Sequence, residues 1–292
     1  MSTLSFAERV ARSAWRMTPQ RALSQIIGWG ATRPLPAPVR AAFLRRFARQ
    51  YGIDVGEAEK PIEQYSGLQE FFTRRLRNGA RPLPAETDRV VSPADGTVID
   101  SGAVEAGRLL DAKGAGFTLT ELLADADAAR RLEGGSYLGT YLSPRDYHRV
   151  HAPLGGRVVA WHHVPGRLFP VNDRSVAREP GLFSKNERFV TLIEGEAGLC
   201  AVVMVAAVGV GHITASYDPE VATHGNGFSS GEVRHQRLST PVPIARGQEL
   251  GTFNLGSTTI IVFEPGRVAL DRRAPGSAIR MGESIGRVLA RS

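Results

Sequence analysis

Residues 255–263 read LGSTTIIVF, and this stretch sets the expected architecture of the chain. Residues 258–263 are mostly β-branched or aromatic, so they predict a strand, with the Gly256–Ser257 peptide bond in a loop before it. A strand here is incompatible with the strand-to-helix turn on which α/β-hydrolases carry their nucleophilic serine. Taken alone, a Gly-Ser pair is most often part of an ordinary turn.

The same Gly-Ser pair also permits a reaction within the chain. The Ser257 hydroxyl can attack the carbonyl of Gly256, and glycine has no side chain to obstruct that approach. Cleavage followed by elimination would leave a pyruvoyl group, a ketone made from the protein itself, at position 257. A serine hydroxyl needs an adjacent base for such an attack, so this interpretation depends on a base elsewhere in the sequence.

Short β-rich runs alternate with Gly, Pro and Asp turns through most of the chain. They lie at residues 89–92, 96–99, 137–142, 156–162, 189–193, 199–208 and 258–263. Helices are predicted at 68–76 and at 118–131, where Thr118 and Glu121 have the spacing of a capping box. We therefore predict an α+β fold, in which N-terminal basic amphipathic helices precede a mainly antiparallel β-sheet catalytic domain at 67–292.

The N-terminal segment, residues 1–66, includes the part of the chain, residues 1–52, that carries the excess positive charge. The net charge is +7, and residues 1–52 contain nine arginines but one acidic residue, Glu8. A basic amphipathic helix suits an anionic membrane surface. The alternative is a solvated basic face whose apolar stripe packs on the domain, and no nucleic-acid motif accompanies the charge. The stripe recurs at every fourth position: Val39, Phe43, Phe47 and Tyr51.

Composition excludes several classes of protein. With one cysteine, Cys200, the chain has no intramolecular disulfide, and the apolar neighbours of Cys200 predict that it is buried. The longest apolar run, 199–210, is shorter than the roughly 20 residues that span a bilayer. Any signal-peptide core is interrupted by arginine, at Arg9, Arg12 and Arg16.

Two further motifs offer the chemistry that Ser257 lacks. YLSPRDYHRVH at 141–151 contains His148 and His151, which titrate near neutral pH. Their spacing also suits a metal, but no third ligand follows at a recognisable spacing, so no metal is predicted. VSPADGT at 91–97 contains Asp95, which can orient a histidine and stabilise its cation, although an Asp-Gly pair is most often a hairpin turn.

Together, the three motifs resemble the bacterial, membrane-associated, pyruvoyl-dependent type of the phosphatidylserine decarboxylase family. On this resemblance the family's catalytic Asp, His and Ser map onto Asp95, His151 and Ser257, and its second histidine maps onto His148. The resemblance covers nearly the whole chain and includes further matches at 71–74 (FFTR), 81–82 (RP), 112–114 (AKG), 169–172 (FPVN), 183–188 (FSKNER) and 246–251 (RGQELG).

The resemblance implies a self-processing proenzyme. Cleavage between Gly256 and Ser257 would give a β chain, 1–256, and an α chain, 257–292, which remain associated. Ser257 would become the pyruvoyl cofactor, whose ketone forms a Schiff base with the amine of phosphatidylserine and accepts electrons as CO2 leaves. His148 is then the expected acid that protonates the product carbanion, with His151 second, and phosphatidylethanolamine is the product.

The resemblance also implies the surroundings of the enzyme. Phe169, Val171 and Asn172 are expected to contact substrate. The enzyme is expected to lie peripherally on the cytoplasmic face of the cell membrane, against an anionic surface, and a homodimer of the cleaved unit is compatible with the family. Three alternatives stay open: a pyruvoyl decarboxylase of another serine-headgroup lipid, an uncleaved serine-hydrolase-like protein, and an uncleaved lipid-binding module.

Overall fold

A computed structural model describes residues 36–109, 116–171, 175–176, 179–207, 212–223, 231–254 and 257–290, with only the main chain of Ser257. The helices are α1 (Ala37–Tyr51), α2 (Leu68–Phe72), α3 (Leu119–Leu123), α4 (Ala126–Leu132) and α5 (Leu182–Lys185), with 3-10 turns at Val55–Glu57 and Ile62–Gln64.

Strands make up most of the described structure. In chain order they are β1 (Arg89–Val91), β2 (Gly96–Ala103), β3 (Arg108–Leu109), β4 (Phe117–Thr118), β5 (Ser136–Leu142), β6 (Arg149–His151), β7 (Gly156–Val164), β8 (Arg188–Gly195), β9 (Gly198–Ala206), β10 (Ile213–Ala215), β11 (Arg234–Ile244), β12 (Glu249–Phe253), β13 (Ser257–Phe263), β14 (Val268–Leu270), β15 (Ala278–Ile279) and β16 (Ser284–Val288).

Eight of these strands form one antiparallel sheet in the order β11-β7-β8-β9-β13-β5-β2-β15. Two three-stranded sheets, β1-β16-β14 and β10-β12-β6, and the β3-β4 pair complete the architecture. The predicted α+β class is confirmed, and each β-rich run named above falls on a strand. Strand β13, predicted from residues 258–263, lies between β9 and β5.

The central strands are buried on both faces of the large sheet. On β9, Cys200 and Val202 point into one hydrophobic cluster, whereas Ala201 and Val203 point into the other. Because neither face of such a strand meets water, its sequence reads as a continuous apolar run rather than an alternating one. The prediction that Cys200 is a small buried residue is confirmed.

The predicted helix at 118–131 is in fact two helices. Thr118 and Glu121 form the predicted capping box at the start of α3. Ala124, with a φ of 53°, ends α3 in the left-handed region, and the Asp125 side chain then caps α4. The helix predicted at 68–76 is also shorter, because α2 ends at Phe72.

Helix α1 buries a different face from the predicted stripe. Ala41, Leu44 and Ala48 are its buried residues, and they belong to a small cluster that includes Tyr65 and Phe71. In contrast, three members of the stripe are 54, 42 and 40% exposed: Val39, Phe43 and Tyr51. The alternative in which this stripe packs on the domain is therefore wrong for these three side chains.

The N-terminal segment is only partly described. Residues 1–35, with most of its predicted basic face, lie outside the described residues, and the boundary at residue 66 stays a prediction. Among the helices that the structure describes, none has the length and apolar content needed to cross a membrane.

Candidate active site

Two chain connections run side by side where β5 ends and β13 begins. One leads from β5 to β6 and carries His148; the other leads from β12 to β13 and ends at Ser257. Ser257 lies opposite Leu142, the last residue of β5. The N–H of Phe253, at the end of β12, donates to the His148 carbonyl over 3.0 Å. The histidine motif therefore lies beside the chain that leads to the Gly-Ser bond.

The connection from β1 to β2, which carries Asp95, lies beside the connection that bears His148. The His151 N–H donates to the Pro93 carbonyl over 2.8 Å, and Thr97 pairs with Tyr141 of β5. All three motifs predicted to carry the chemistry are thus adjacent at one end of the large sheet.

Ser257 begins the central strand of that sheet. Its main chain pairs with Leu142 on one side and with Ala206 on the other. Leu255, Gly256 and the Ser257 side chain lie outside the described residues. The pairing fixes where the chain after the Gly-Ser bond lies, whether or not that bond is intact.

Asp95 is held by a different partner from the one predicted. Arg81 Nε donates to Oδ1 over 2.9 Å, Arg81 Nη2 donates to Oδ2, and the Met281 N–H donates to Oδ1 over 2.8 Å. Within the described chain, Asp95 makes no hydrogen bond to His151, so the expected orienting contact is not observed. The Asp95 charge is still close enough to favour protonation of His151, raising its pKa against the stronger effect of burial.

The Asp-Gly pair at 95–96 is not a hairpin turn. Gly96 begins β2 with a φ of 157°, and a Cβ there would lie 2.2 Å from the Tyr141 carbonyl oxygen. Glycine is required because the backbone of β5 passes so close. The pair therefore brings Asp95 up to the sheet rather than reversing the chain.

His151 is oriented by a carbonyl. Its Nδ1 lies 2.8 Å from the Gly247 oxygen, which can only accept, so Nδ1 carries the proton in the neutral ring. Nε2 therefore has the lone pair, and the Tyr147 hydroxyl lies 3.1 Å from it. Burial lowers the pKa of His151, so the ring is neutral and its Nε2 is basic near neutral pH.

His148 is completely buried beside helix α2. Its Nδ1 donates to the Asp146 carbonyl over 2.8 Å, and the Phe72 ring lies 3.9 Å from the imidazole, centroid to centroid. Burial, with a smaller effect of the nearby Arg74 charge, lowers the pKa of His148 to about 3. Nε2 has no hydrogen-bond partner among the described residues, so its lone pair is available.

The three predicted substrate contacts fall in the loop before α5. Phe169 and Val171 are buried in the hydrophobic cluster on one face of the sheet, and Asn172 lies outside the described residues. The Asn186 side chain accepts from the Phe169 N–H over 3.0 Å and donates to the Ala206 carbonyl over 2.8 Å. Asn186 therefore ties this loop to the strand that flanks Ser257.

Three contributing residues were missed by the sequence reasoning. Tyr147 lies inside the histidine motif, and Arg81 and Gly247 lie in segments noted only as family matches. Their roles depend on which atoms they reach across the fold, a property that spacing along the chain does not reveal. No group of three or more His, Cys, Asp or Glu residues in the described ranges is arranged to hold a metal ion.

This arrangement combines two buried neutral histidines with a serine at the start of a fixed strand. A neutral imidazole with a free Nε2 lone pair can act as a general base, and after protonation as a general acid. His148, His151 and Asp95 are buried, which strengthens the electrostatic effects between them.

In comparisons with known proteins, the matching family model and the similar proteins all point to one family. The family model described as phosphatidylserine decarboxylase matches residues 68–287. A protein named phosphatidylserine decarboxylase proenzyme from Anaeromyxobacter sp. (strain K) is 46% identical over 280 residues, 96% of this chain and 98% of that protein. Proteins with the same name from Myxococcus xanthus (strain DK1622) and Bordetella avium (strain 197N) are 45% and 39% identical, covering 93% and 97% of this chain and 95% and 96% of their own.

Proposed function

The chain belongs to the phosphatidylserine decarboxylase family, and from that premise we propose how its own residues mature it and carry out the reaction. It is a carboxy-lyase proenzyme that converts phosphatidylserine to phosphatidylethanolamine and CO2. The observation that carries the proposal is the position of Ser257, at the start of a central strand and beside the connection that bears His148 and leads into β6, the strand that ends at His151.

Maturation begins with proton removal from the Ser257 hydroxyl by His151, whose Nε2 has the lone pair. The Ser257 oxygen attacks the Gly256 carbonyl, and the peptide C–N bond breaks, leaving an ester and a free amine at residue 257. Loss of the Ser257 α-proton then expels the Gly256 carboxylate. The dehydroalanine that remains tautomerises and takes up one water, which releases ammonia and leaves the pyruvoyl group.

The surroundings of residue 257 fit a group of this kind. The main chain there is fixed by strands on both sides, and the nearby imidazoles are buried and neutral. A pyruvoyl carbonyl binds the substrate amine covalently and accepts the electron pair released by decarboxylation.

In the decarboxylation reaction, His148 delivers the proton that the substrate carbon takes up after CO2 leaves. Its Nε2 is unprotonated in the resting enzyme, because burial and the Arg74 charge disfavour the cation. An anionic substrate nearby would offset the Arg74 charge and allow Nε2 to take up the proton that it delivers to the substrate carbon. The Phe72 ring over His148 excludes water from this transfer.

The two product chains are expected to stay together. The α chain, residues 257–292, supplies β13 to the centre of the large sheet, where it pairs with β5 and β9 of the β chain. It also supplies β16, which pairs with β1, and β15, which pairs with β2. A homodimer of this unit stays a prediction.

Attachment to the cytoplasmic face of the membrane is also part of the proposal. Helix α1 exposes Val39, Phe43 and Tyr51, and arginines at 45, 46 and 49 are exposed on the same helix. Apolar side chains that insert beside basic residues suit an anionic lipid surface. The two-tailed substrate could then reach the site without leaving the bilayer.

Intact-protein mass spectrometry under denaturing conditions tests the proposal. We expect two fragments, 1–256 and 257–292, with a blocked terminus at 257, and one uncut inactive chain for Ser257→Ala. A single intact chain in active wild-type protein would contradict it and favour an uncleaved hydrolase-like protein. An assay of serine-headgroup lipids would then separate phosphatidylserine from related substrates.

A further inference from the structure

A carboxylate lies beside His151 on the neighbouring strand. Glu249 of β12 is directly opposite His151 of β6 in the antiparallel pairing of the two strands. Residues paired in this way have Cβ atoms about 4.5–5.5 Å apart, and their side chains share one face of the sheet. Arg149 lies two residues before His151 on β6 and therefore shares that face as well. The side chains of His151, Glu249 and Arg149 are thus neighbours.

Hydrogen bonds fix the Glu249 carboxylate on this face. Arg149 Nη1 donates to both of its oxygens, over 2.8 and 2.9 Å. The hydroxyls of Ser216 and Thr252 both donate to Oε1, over 2.9 and 3.2 Å. Burial raises the pKa of Glu249, but the Arg149 charge and the bonds from Arg149 and Ser216 outweigh this and lower it below its ordinary value. Glu249 is therefore ionised near neutral pH, next to His151.

The titratable and charged groups that face His151 come from three parts of the fold. They are Tyr147 and Arg149 from β6 and the connection before it, Glu249 from β12, and Asp95 from the connection between β1 and β2. Burial raises the pKa of Tyr147, so its phenol is uncharged near neutral pH. Burial also has the largest effect on His151 and lowers its pKa. Among the three charges, Glu249 raises that pKa most, Arg149 lowers it, and Asp95 raises it least.

We propose that Glu249 is a positioning residue for self-cleavage, whose carboxylate stabilises the imidazolium that His151 becomes. This is the role that the sequence motifs suggested for Asp95, whose carboxylate is instead bonded to Arg81. The inference rests on the proposed self-processing function. In the proton balance, the Ser257 hydroxyl loses one proton, His151 Nε2 gains it, and Glu249 keeps its negative charge throughout.

A titration of His151 in uncleaved Ser257→Ala protein tests the proposal. Histidine labelled with 13C gives ring signals for the seven histidines, and the signal that is lost in His151→Ala belongs to His151. We expect Glu249→Gln, which keeps the shape of the side chain and removes its charge, to lower the pKa of His151. Asp95→Asn should lower it less. Arg149→Gln should raise it, because a positive charge is removed, and a merely structural role would not give shifts of opposite sign.

Glu194→Gln is the matched control for the titration. Glu194 is also held through both carboxylate oxygens by one arginine, Arg131, but it lies on β8 in a different sheet from β6 and β12. It should leave the pKa of His151 unchanged. An unchanged His151 pKa in Glu249→Gln, or a fall no larger than in Asp95→Asn, would overturn the proposal.

Self-cleavage of newly translated chains supplies a second measurement. Hydroxylamine in the reaction captures the ester, so that the rate reports the serine attack rather than the later elimination. We expect Glu249→Gln to cleave roughly tenfold more slowly than wild type, a part of the 100-fold or more that general acid–base catalysis typically contributes. The midpoint of its pH–rate profile should move to lower pH.

Glu249→Asp distinguishes the charge from the packing of the side chain. It keeps the carboxylate and should restore most of the cleavage rate that Glu249→Gln loses. Cleavage of Glu249→Gln at the wild-type rate, or an equal loss in Glu249→Gln and Glu249→Asp, would also overturn the proposal.

His151→Ala separates this inference from the proposed function. If that variant, with Ser257 present, cleaves normally, the assignment of His151 as the base fails, and the proposed maturation fails with it. If it stays uncut while Glu249→Gln titrates and cleaves as wild type does, maturation through His151 stands and the role of Glu249 alone is wrong.

Discussion

The complete burial of His148 makes the stability of the protein depend on pH. Its pKa of about 3 in the folded state lies below the ordinary value of 6.5, so the unfolded chain binds the proton first as the pH falls. The stability that the neutral ring contributes is present above pH 6.5 and is lost progressively as the pH falls towards 3.

Replacement of this side chain should flatten that dependence. In uncleaved Ser257→Ala protein, we expect His148→Gln to reduce the slope of the unfolding free energy between pH 6 and 4 by up to about 1.4 kcal/mol per pH unit, the value for one proton. Urea unfolding at a series of pH values measures it. An unchanged slope would mean that His148 is protonated in the folded protein.

The Arg81–Asp95 pair is the other feature that belongs to single residues. Both side chains are buried, and Arg81 also donates to Glu57 over 2.8 Å. Removal of one partner from a buried pair leaves an uncompensated charge, which costs about 3–5 kcal/mol. We expect Arg81→Met and Asp95→Asn each to destabilise the Ser257→Ala proenzyme by amounts of this order.

A double-mutant cycle checks whether the two groups act as a pair. The double variant should lose less unfolding free energy than the single variants lose in total, with a coupling of roughly 0.5–3 kcal/mol. Additive losses would show that Arg81 and Asp95 stabilise the protein independently.

At the scale of the element, helix α1 presents Val39, Phe43 and Tyr51 to the outside. We expect the triple variant Val39→Ser, Phe43→Ser and Tyr51→Ser to lose roughly tenfold or more of its binding to anionic vesicles, because about 1.5–3 kcal/mol accompanies burial of one large apolar side chain. Flotation of the full chain with liposomes measures it. The melting temperature should change little, since these side chains are exposed.

The control for this experiment is Val233→Ser, which removes a side chain of similar exposure from outside α1. It should float with vesicles as wild type does. Equal loss of binding in both variants would indicate a general effect of surface hydrophobicity, and unchanged binding of the triple variant would exclude α1 as the contact.

The elements differ in how well the sequence predicts them. Strands β9 and β13 are predictable because burial on both faces leaves continuous apolar runs. Short strands such as β6 and β12 are not predictable from the sequence, because each pairs with a strand that is distant along the chain. The break at Ala124 was missed because alanine gives no sign of a left-handed φ. The packed face of α1 is also hard to predict, because two of its three buried residues, Ala41 and Ala48, are alanines.

The candidate site shows a similar division. Its residue types follow from the motifs, because serine, histidine and aspartate are needed for the chemistry. Their partners do not follow, since Arg81, Met281 and Gly247 reach the site from other parts of the fold. The assumption that aspartate orients histidine came from other enzymes and not from this chain.

At the scale of the whole molecule, the proposed α chain, residues 257–292, pairs with the proposed β chain in two sheets. We expect the cleaved protein to elute as one species on gel filtration, with residues 257–292 retained even after long dilution in native buffer. The three pairings of β13, β15 and β16 would have to be broken together for its release. Gradual loss of the α chain on dialysis without denaturant would contradict this expectation.

The position of β13 in the middle of the large sheet also bears on whether the protein folds before or after its cleavage. In the proposed maturation, the sheet forms while the chain is continuous, when folding is a first-order process. After maturation, recovery from denaturation would need two separate chains to meet, at a rate that depends on their concentrations. With the proposed pyruvoyl group at residue 257, the peptide bond that joined the two chains cannot re-form, because a ketone replaces the amine. On this proposal, the mature protein persists through slow unfolding rather than through reversible refolding, which makes its lifetime a kinetic property.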